Sequence, residues 1–367
     1  MTAASRSDLP ALTGVRGLAA LWVLSYHLQF FAKAFGVDWL KDPPILRSGW
    51  VGVDLFFVLS GFVLMHAHQQ DFVRPTLRAT GRFALLRVFR VYPLATVVLL
   101  LLAALLATDP RFSDWYRKSH DPLDLTWVSF VRTLTLSTRW FPPFTGDWNQ
   151  PTWSLSAEIV GYAAFPLLAM LAVRLNNGFF AVLLAIAALG LPQMLQPILH
   201  AGIGNDIFGF AIVRMAGGFT AGIVLYRLHR LTPDRYRQLQ GWSADLALVA
   251  LLVALFTPLR LTAPLFCFGL LVYGLAGHGG VVQRLLASPP ALWLGRISFP
   301  LYLIHTMTLF FLYYELAVHN APIPWRVATW VAFPPAAMLV AWGLHLAVER
   351  PSHEFGRRLV RRWGGAR

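Results

Sequence analysis

The sequence predicts an all-α integral membrane protein of about ten transmembrane helices, with both termini cytoplasmic. Three observations carry that prediction. The 367 residues are 57% hydrophobic and 13% charged, with a mean hydropathy of +0.57, whereas a soluble domain carries roughly 25% charged residues. Apolar windows of bilayer length, about 17–25 residues, recur from one end to the other. Lys and Arg gather in alternate connections, as they do in loops retained in the cytoplasm.

The windows lie near residues 12–34, 50–68, 84–108, 153–174, 178–196, 207–228, 242–258, 261–277, 291–315 and 325–348. The seventh and eighth are short and broken around Pro258–Pro264, which predicts a tight hairpin there. Arg74, Arg78, Arg82 and Arg87 follow the second window, and Arg227, Arg230, Arg235 and Arg237 follow the sixth. Arg357, Arg358, Arg361, Arg362 and Arg367 close the chain. With ten spans all three clusters fall on one side, the cytoplasmic one. Connection 109–152, where five Asp offset five basic residues, then falls outside, and its Trp127–Leu136 stretch can lie flat on the bilayer or dip into it.

Residues 1–350 are expected to form the membrane domain and 351–367 a short basic cytoplasmic tail. Met1–Pro10 lacks the basic, apolar and small-residue elements of a cleaved signal, so the first span is expected to target the chain. The net charge of +14 comes without a soluble domain to hold a duplex, so membrane lipid rather than nucleic acid is the expected partner. Cys267 is the sole cysteine, which excludes an intramolecular disulfide and CxxC chemistry. His66 and His68, at i and i+2, point to different faces of a helix, and no metal site is expected.

Ionisable residues inside membrane spans usually face a protein interior or a water-filled cavity. The first span carries two, Arg16 and His27, eleven residues apart. At ~100° per residue they share a face, roughly 16 Å apart along the axis. With the N-terminus inside, Arg16 lies near the cytoplasmic end and His27 near the outer end. The second span runs back, so Asp54 falls near the depth of His27; Glu158, early in the fourth, starts at the outer level too. A carboxylate beside an imidazole orients a general base and stabilises the imidazolium; an interhelical hydrogen bond alone is the structural alternative.

Arg87 and Arg90 open the third span with Arg82 before them, and bases three apart on a helix can share a phosphate. The same pattern suits cytoplasmic anchoring equally well. Arg16 can bind an incoming anion or snorkel to headgroups. Glu158, on the first turns after Trp153 and Ser154, suits the helix dipole as well as a site. Ser298, Tyr302 and His305 form either a second polar cluster or a set of interhelical hydrogen bonds. Arg214, inside the sixth span, needs a partner, with Asp206 and Glu158 as candidates. No Gly-rich phosphate loop or Gly-x-Ser-x-Gly elbow is present.

Several segments coincide with one family. They are Leu12-Thr13-Gly14-Val15-Arg16-Gly17 through Tyr26-His27, and Gly52-Val53-Asp54 through Ser60-Gly61-Phe62. Next come Arg87-x-x-Arg90-Val91-Tyr92-Pro93 and Thr152-Trp153-Ser154-Leu155-Ser156-Ala157-Glu158. Late in the chain stand Leu294-Gly295-Arg296-Ile297-Ser298 through Tyr302-Leu303-Ile304-His305, and Glu349-Arg350-Pro351. Each is degenerate alone; in this order the chain resembles the bacterial acyltransferase-3 family of integral membrane O-acyltransferases.

The resemblance implies transfer of an acyl group, often acetyl, from a coenzyme A thioester to a hydroxyl of a glycan or a small molecule such as a macrolide. It implies an Arg-x10-His pair in Arg16 and His27, with His27 essential, and an Arg-x-x-Arg element in Arg87 and Arg90 on the acyl-CoA side. The chain departs from the family at Phe299-Pro300, where Tyr-Ser is frequent. No SGNH-type domain of the kind some relatives carry is expected after the tenth span, so the chemistry is expected within the membrane domain.

The resulting expectation has Arg82, Arg87 and Arg90 on the coenzyme phosphates, Arg16 along the donor's route, and His27 oriented by Asp54. Glu158, Trp153, Ser154, Tyr302 and His305 would bind or support the acceptor. Acetyl-CoA acts as co-substrate with no permanently bound cofactor. The setting is the bacterial inner membrane, and a homodimer is one permitted state. A transporter or flippase with a polar path is the alternative from another class, and paired broken helices in two related halves, its usual signature, are not seen.

Overall fold

The computed structural model describes residues 9–38, 42–142, 147–196 and 210–365. Its regular structure is helical, with no strand among the described residues. The chain runs through α1 (Pro10–Phe30), α2 (Pro44–Arg47), α3 (Gly52–His68) and α4 (Leu77–Thr108). Two short helices, α5 (Pro110–Lys118) and α6 (Trp127–Leu134), fill the long connection before α7 (Thr152–Ala172). Next come α8 (Gly178–Leu195), α9 (Ala211–Leu231), α10 (Arg237–Leu255), α11 (Ala263–Leu275) and α12 (Val281–Leu286). The chain ends with α13 (Pro289–Tyr313), α14 (Ile323–Leu344) and α15 (Arg350–Gly365).

Each of the ten expected windows is occupied by a helix, although the sixth begins in residues outside those described. Eight described helices are long and apolar enough to cross a membrane, fewer than the ten expected. Of the other two, α1 has 21 residues but carries Arg16, His27 and Gln29, and α11 has 13 residues. A 3-10 turn at Pro258–Leu261 joins α10 to α11 where the tight hairpin was expected. The tail is helical as well. The side chain of Phe355 on α15 packs edge-on against Phe89 of α4, and Gly356 sits against the same ring.

Helices α1, α3, α9 and α13 form the centre. Two close approaches decide how they meet, and both depend on glycine. A Cβ on Gly61 of α3 would lie 2.0 Å from the Phe219 carbonyl oxygen, and one on Gly222 of α9 would lie 2.0 Å from that of Val58. A Cβ on Gly295 of α13 would likewise lie 2.0 Å from the Thr13 oxygen, and one on Gly17 of α1 would lie 2.7 Å from the Gly295 nitrogen. Backbones in apolar surroundings approach this closely where the interface residues are small. The outer helices α8, α10 and α14 instead present large apolar side chains outward, among them Phe179, Ile186, Val249, Val331 and Leu339. Lipid tails are as apolar as these groups, so such exposure carries no penalty in a bilayer.

The long connection folds back onto the bundle. Asp109 caps α5 by accepting from the N–H groups of Arg111 and Phe112. Arg139 and Asp147 form a buried ion pair at 2.7 Å, and the Trp140 indole donates to the Ser156 carbonyl at 2.9 Å. Asn149 then donates to the Leu303 carbonyl of α13 at 3.0 Å, which fixes the start of α7 beside α13.

Candidate active site

Two chambers lie among the central helices. The first, a cavity of about 130 Å³, is lined by Arg16 of α1, Ser60 of α3, Arg87 and Arg90 of α4, Glu158 and Tyr162 of α7, and Tyr302 of α13. The second, about 390 Å³, is lined by His27, Tyr26, Trp50, Gln150, Trp153, Arg214, Thr306 and Tyr302. Val53 and Tyr302 belong to both walls. Three guanidinium groups therefore open on one chamber and the imidazole of His27 on the other, with one valine and one tyrosine at the boundary.

In the basic chamber Arg90 and Arg87 are held differently. Arg90 is ion-paired with Glu349, a residue 2% exposed, and its guanidinium lies 5.5 Å from the Phe299 ring centroid. Glu349 is also 2.7 Å from Nδ1 of His345. Arg87 lies over Phe83, at 5.6 Å, and its buried Nε has no partner among the described residues. Glu158 accepts from the Ser60 hydroxyl. Partly buried guanidinium groups in excess of nearby carboxylates leave a chamber that favours an anion.

In the second chamber His27 Nδ1 lies 2.9 Å from the Val23 carbonyl oxygen and 3.1 Å from Nε2 of His305. His305 Nδ1 in turn faces the Tyr302 carbonyl at 2.8 Å. The Tyr302 hydroxyl shares a 2.8 Å bond with Ser154 and donates to the Pro151 carbonyl at 3.1 Å.

Three expectations change. Asp54 does not orient His27: both its oxygens accept from Arg214, Oδ1 from Nε at 3.0 Å and Oδ2 from Nη2 at 2.8 Å. Matched depth along two spans leaves rotation about each helix axis open, and the rotation of α3 turns Asp54 toward α9. Arg214 thereby has its partner in Asp54 and lies between the indoles of Trp50 and Trp153, at 5.0 and 5.3 Å. Of its two candidate partners, Asp206 lies outside the described residues and Glu158 is bonded to Ser60.

Second, Glu158 lines the basic chamber rather than the level of His27, because five residues of helix carry it about 7.5 Å below Trp153. Third, Arg82 is exposed and is not among the residues lining either chamber. Five residues before Arg87 on the same helix, it points ~140° away.

Arg16, Arg87, Arg90, Glu158, Ser154 and Tyr302 thus meet at the first chamber, and His27, Trp153 and Tyr302 at the second. His305 touches His27 from behind. Arg214, Trp50, Ser60 and Glu349 were not anticipated in these positions. For Arg214 and Ser60 the signal in sequence is a polar or charged residue in an apolar span, which marks a partner but not which one.

Comparison with known proteins gives the chemistry its family. Residues 9–346 match the acyltransferase domain that defines the acyltransferase-3 family. The chain belongs to the acyltransferase-3 family. Among relatives of this acyltransferase-3 chain, Acyltransferase MdmB of Streptomyces mycarofaciens is 36% identical over 168 residues, 43% of this chain and 38% of that protein. Protein 2 of the picA locus of Rhizobium radiobacter is 35% identical over 166 residues, 42% of this chain and 78% of that one. A Staphylococcus aureus protein named, provisionally, an O-acetyltransferase is 22% identical over 346 residues, 89% of this chain and 54% of that one. The chain therefore spans well under two thirds of the Streptomyces and staphylococcal proteins. No solved structure matches it.

Proposed function

We propose that this acyltransferase-3 protein is a multi-pass enzyme of the bacterial cytoplasmic membrane that moves an acyl group, typically acetyl, from acyl-CoA to a hydroxyl of a glycan such as an exopolysaccharide or lipopolysaccharide unit. The observation that carries the reading is the meeting of a basic chamber and a histidine chamber at Val53 and Tyr302. Arg87, Arg90 and Arg16 suit the coenzyme's phosphates, which guanidinium groups grip bidentately. The thioester then reaches toward Val53 and Tyr302, and the acceptor occupies the chamber of His27.

In the transfer, His27 removes the hydroxyl proton as the oxygen attacks the thioester carbonyl. The new C–O bond forms, the C–S bond breaks, and the proton passes from His27 to the departing coenzyme thiolate. No water and no redox partner is consumed.

The test incubates radiolabelled acetyl-CoA with membranes of the source organism carrying the wild-type chain or a folded His27→Ala variant. Label is then counted in polysaccharide, lipid and small-molecule fractions. Wild-type-dependent label in polysaccharide, absent with His27→Ala, is the expected outcome. Label in the small-molecule fraction moves the acceptor to a secreted compound, and an undiminished rate in His27→Ala removes the reading.

A further inference from the structure

We propose that His305 is a positioning residue for His27: together with the Val23 carbonyl it holds the tautomer whose Nε2 is free to take the acceptor's proton, then shares the charge that results. The inference rests on the acyl-transfer reading, and it assigns to a second histidine the part that a carboxylate plays in a catalytic triad.

The hydrogen-bond partners determine the tautomers. A backbone carbonyl only accepts. Nδ1 of His305 faces the Tyr302 carbonyl at 2.8 Å and Nδ1 of His27 faces the Val23 carbonyl at 2.9 Å, so each Nδ1 carries its hydrogen. In neutral rings each Nε2 is then bare. Nε2 of His305 lies 3.1 Å from Nδ1 of His27 and so accepts from the same N–H that reaches Val23. The opposite direction would require His305 to hold hydrogens on both nitrogens, as a buried cation. The carboxylate nearest in depth, Asp54, is already occupied on both oxygens by Arg214. What remains is Nε2 of His27, on a ring that lines the acceptor chamber.

The surroundings leave this role to His305. Tyr26 stands beside His27 on α1, with ring centroids 5.1 Å apart, and α13 contributes Tyr302 and His305. From α9 comes Arg214, its charge met by Asp54 of α3. No Asp or Glu is among the described residues lining the chamber. When His27 takes a proton at Nε2, its Nδ1–H donates more strongly, and the bare Nε2 of His305 is a better acceptor than a carbonyl. His305 in turn donates to Tyr302, so the polarisation runs along a chain of two bonds.

The tautomer is read directly by magic-angle-spinning 15N NMR of the full chain, labelled at histidine, in lipid nanodiscs. The His27 signals are assigned by difference against His27→Ala. At neutral pH the expected pattern is a protonated, pyrrole-type Nδ1 and a bare, pyridine-type Nε2. The kinetic arm uses radiolabelled acetyl-CoA with the membrane fraction that takes up label. In His305→Leu, kcat should fall about 10- to 100-fold, the range of one hydrogen bond to a charged group. The KM for acetyl-CoA should stay unchanged, and the acidic limb of kcat/KM should move to lower pH as the imidazolium loses its acceptor. In His305→Gln, whose side-chain carbonyl can accept the same hydrogen, most of the rate should return.

A bare Nδ1 on His27, or a His305→Leu enzyme with wild-type kcat and acidic limb, overturns the proposal. If His305→Leu does not fold, a folded His305→Gln as inactive as His27→Ala overturns it too. These outcomes leave the acyl-transfer reading standing; only a His27→Ala protein of full activity would remove that reading.

Discussion

Arg214 grips Asp54 through two nitrogens at 3.0 and 2.8 Å, with the two residues 1% and 2% exposed. Removing one member of such a pair leaves an uncompensated buried charge, at a cost of about 3–5 kcal/mol. Asp54→Ala is therefore expected to lower the melting temperature in detergent markedly. A double variant, Asp54→Leu with Arg214→Met, should recover much of that loss, because no lone charge remains. If Asp54 instead oriented His27, Asp54→Ala would melt normally and lose only kcat. That an arginine inside an apolar span needs a partner is legible in sequence. That the partner is Asp54 depends on the rotation of α3 and α9 about their axes, which hydropathy does not encode.

At the scale of elements, the glycines set the distances on which the site depends. Gly17 and Gly295 let α1 and α13 touch backbone to backbone, and these two helices carry His27 and His305. Gly17→Val should force them apart, costing about 1–3 kcal/mol or more, and should lower the transfer rate although both histidines are intact. Transfer rate and thermal melting, measured on the same preparation, check both parts. Gly343 of α14 is the control: a Cβ there meets nothing within 4 Å. Gly343→Ala should leave activity unchanged and raise helix stability by up to about 1 kcal/mol, the difference in helix propensity. The sequence shows both glycines within apolar helices; only the packing separates the one that is required from the one that is free.

For the whole molecule, the two chambers predict separable responses to ligand. Coenzyme A should stabilise the full chain by about 2.7 kcal/mol at one hundred times its Kd, if it binds only the folded state. Charge reversal in Arg87→Glu with Arg90→Glu should abolish that stabilisation or shift its midpoint to much higher concentration. His27→Ala should leave the titration unchanged, since His27 lines the other chamber. A thermal-shift titration on the three proteins decides; equal loss in both variants would mean that the donor occupies both chambers.

Helix positions and the membrane class follow from local chemistry, because bilayer thickness and the absence of water act on each segment separately. The same holds for the division of Arg16 and His27 between two ends of α1, since eleven residues at a fixed rise settle it. The pairings did not follow: Asp54 with Arg214, Glu349 with Arg90, and His305 with His27 join residues 160, 259 and 278 positions apart. A helix in an apolar core can rotate and slide at little hydropathic cost, so which polar groups meet is settled by close packing at glycines and by the need of each buried polar group for a partner.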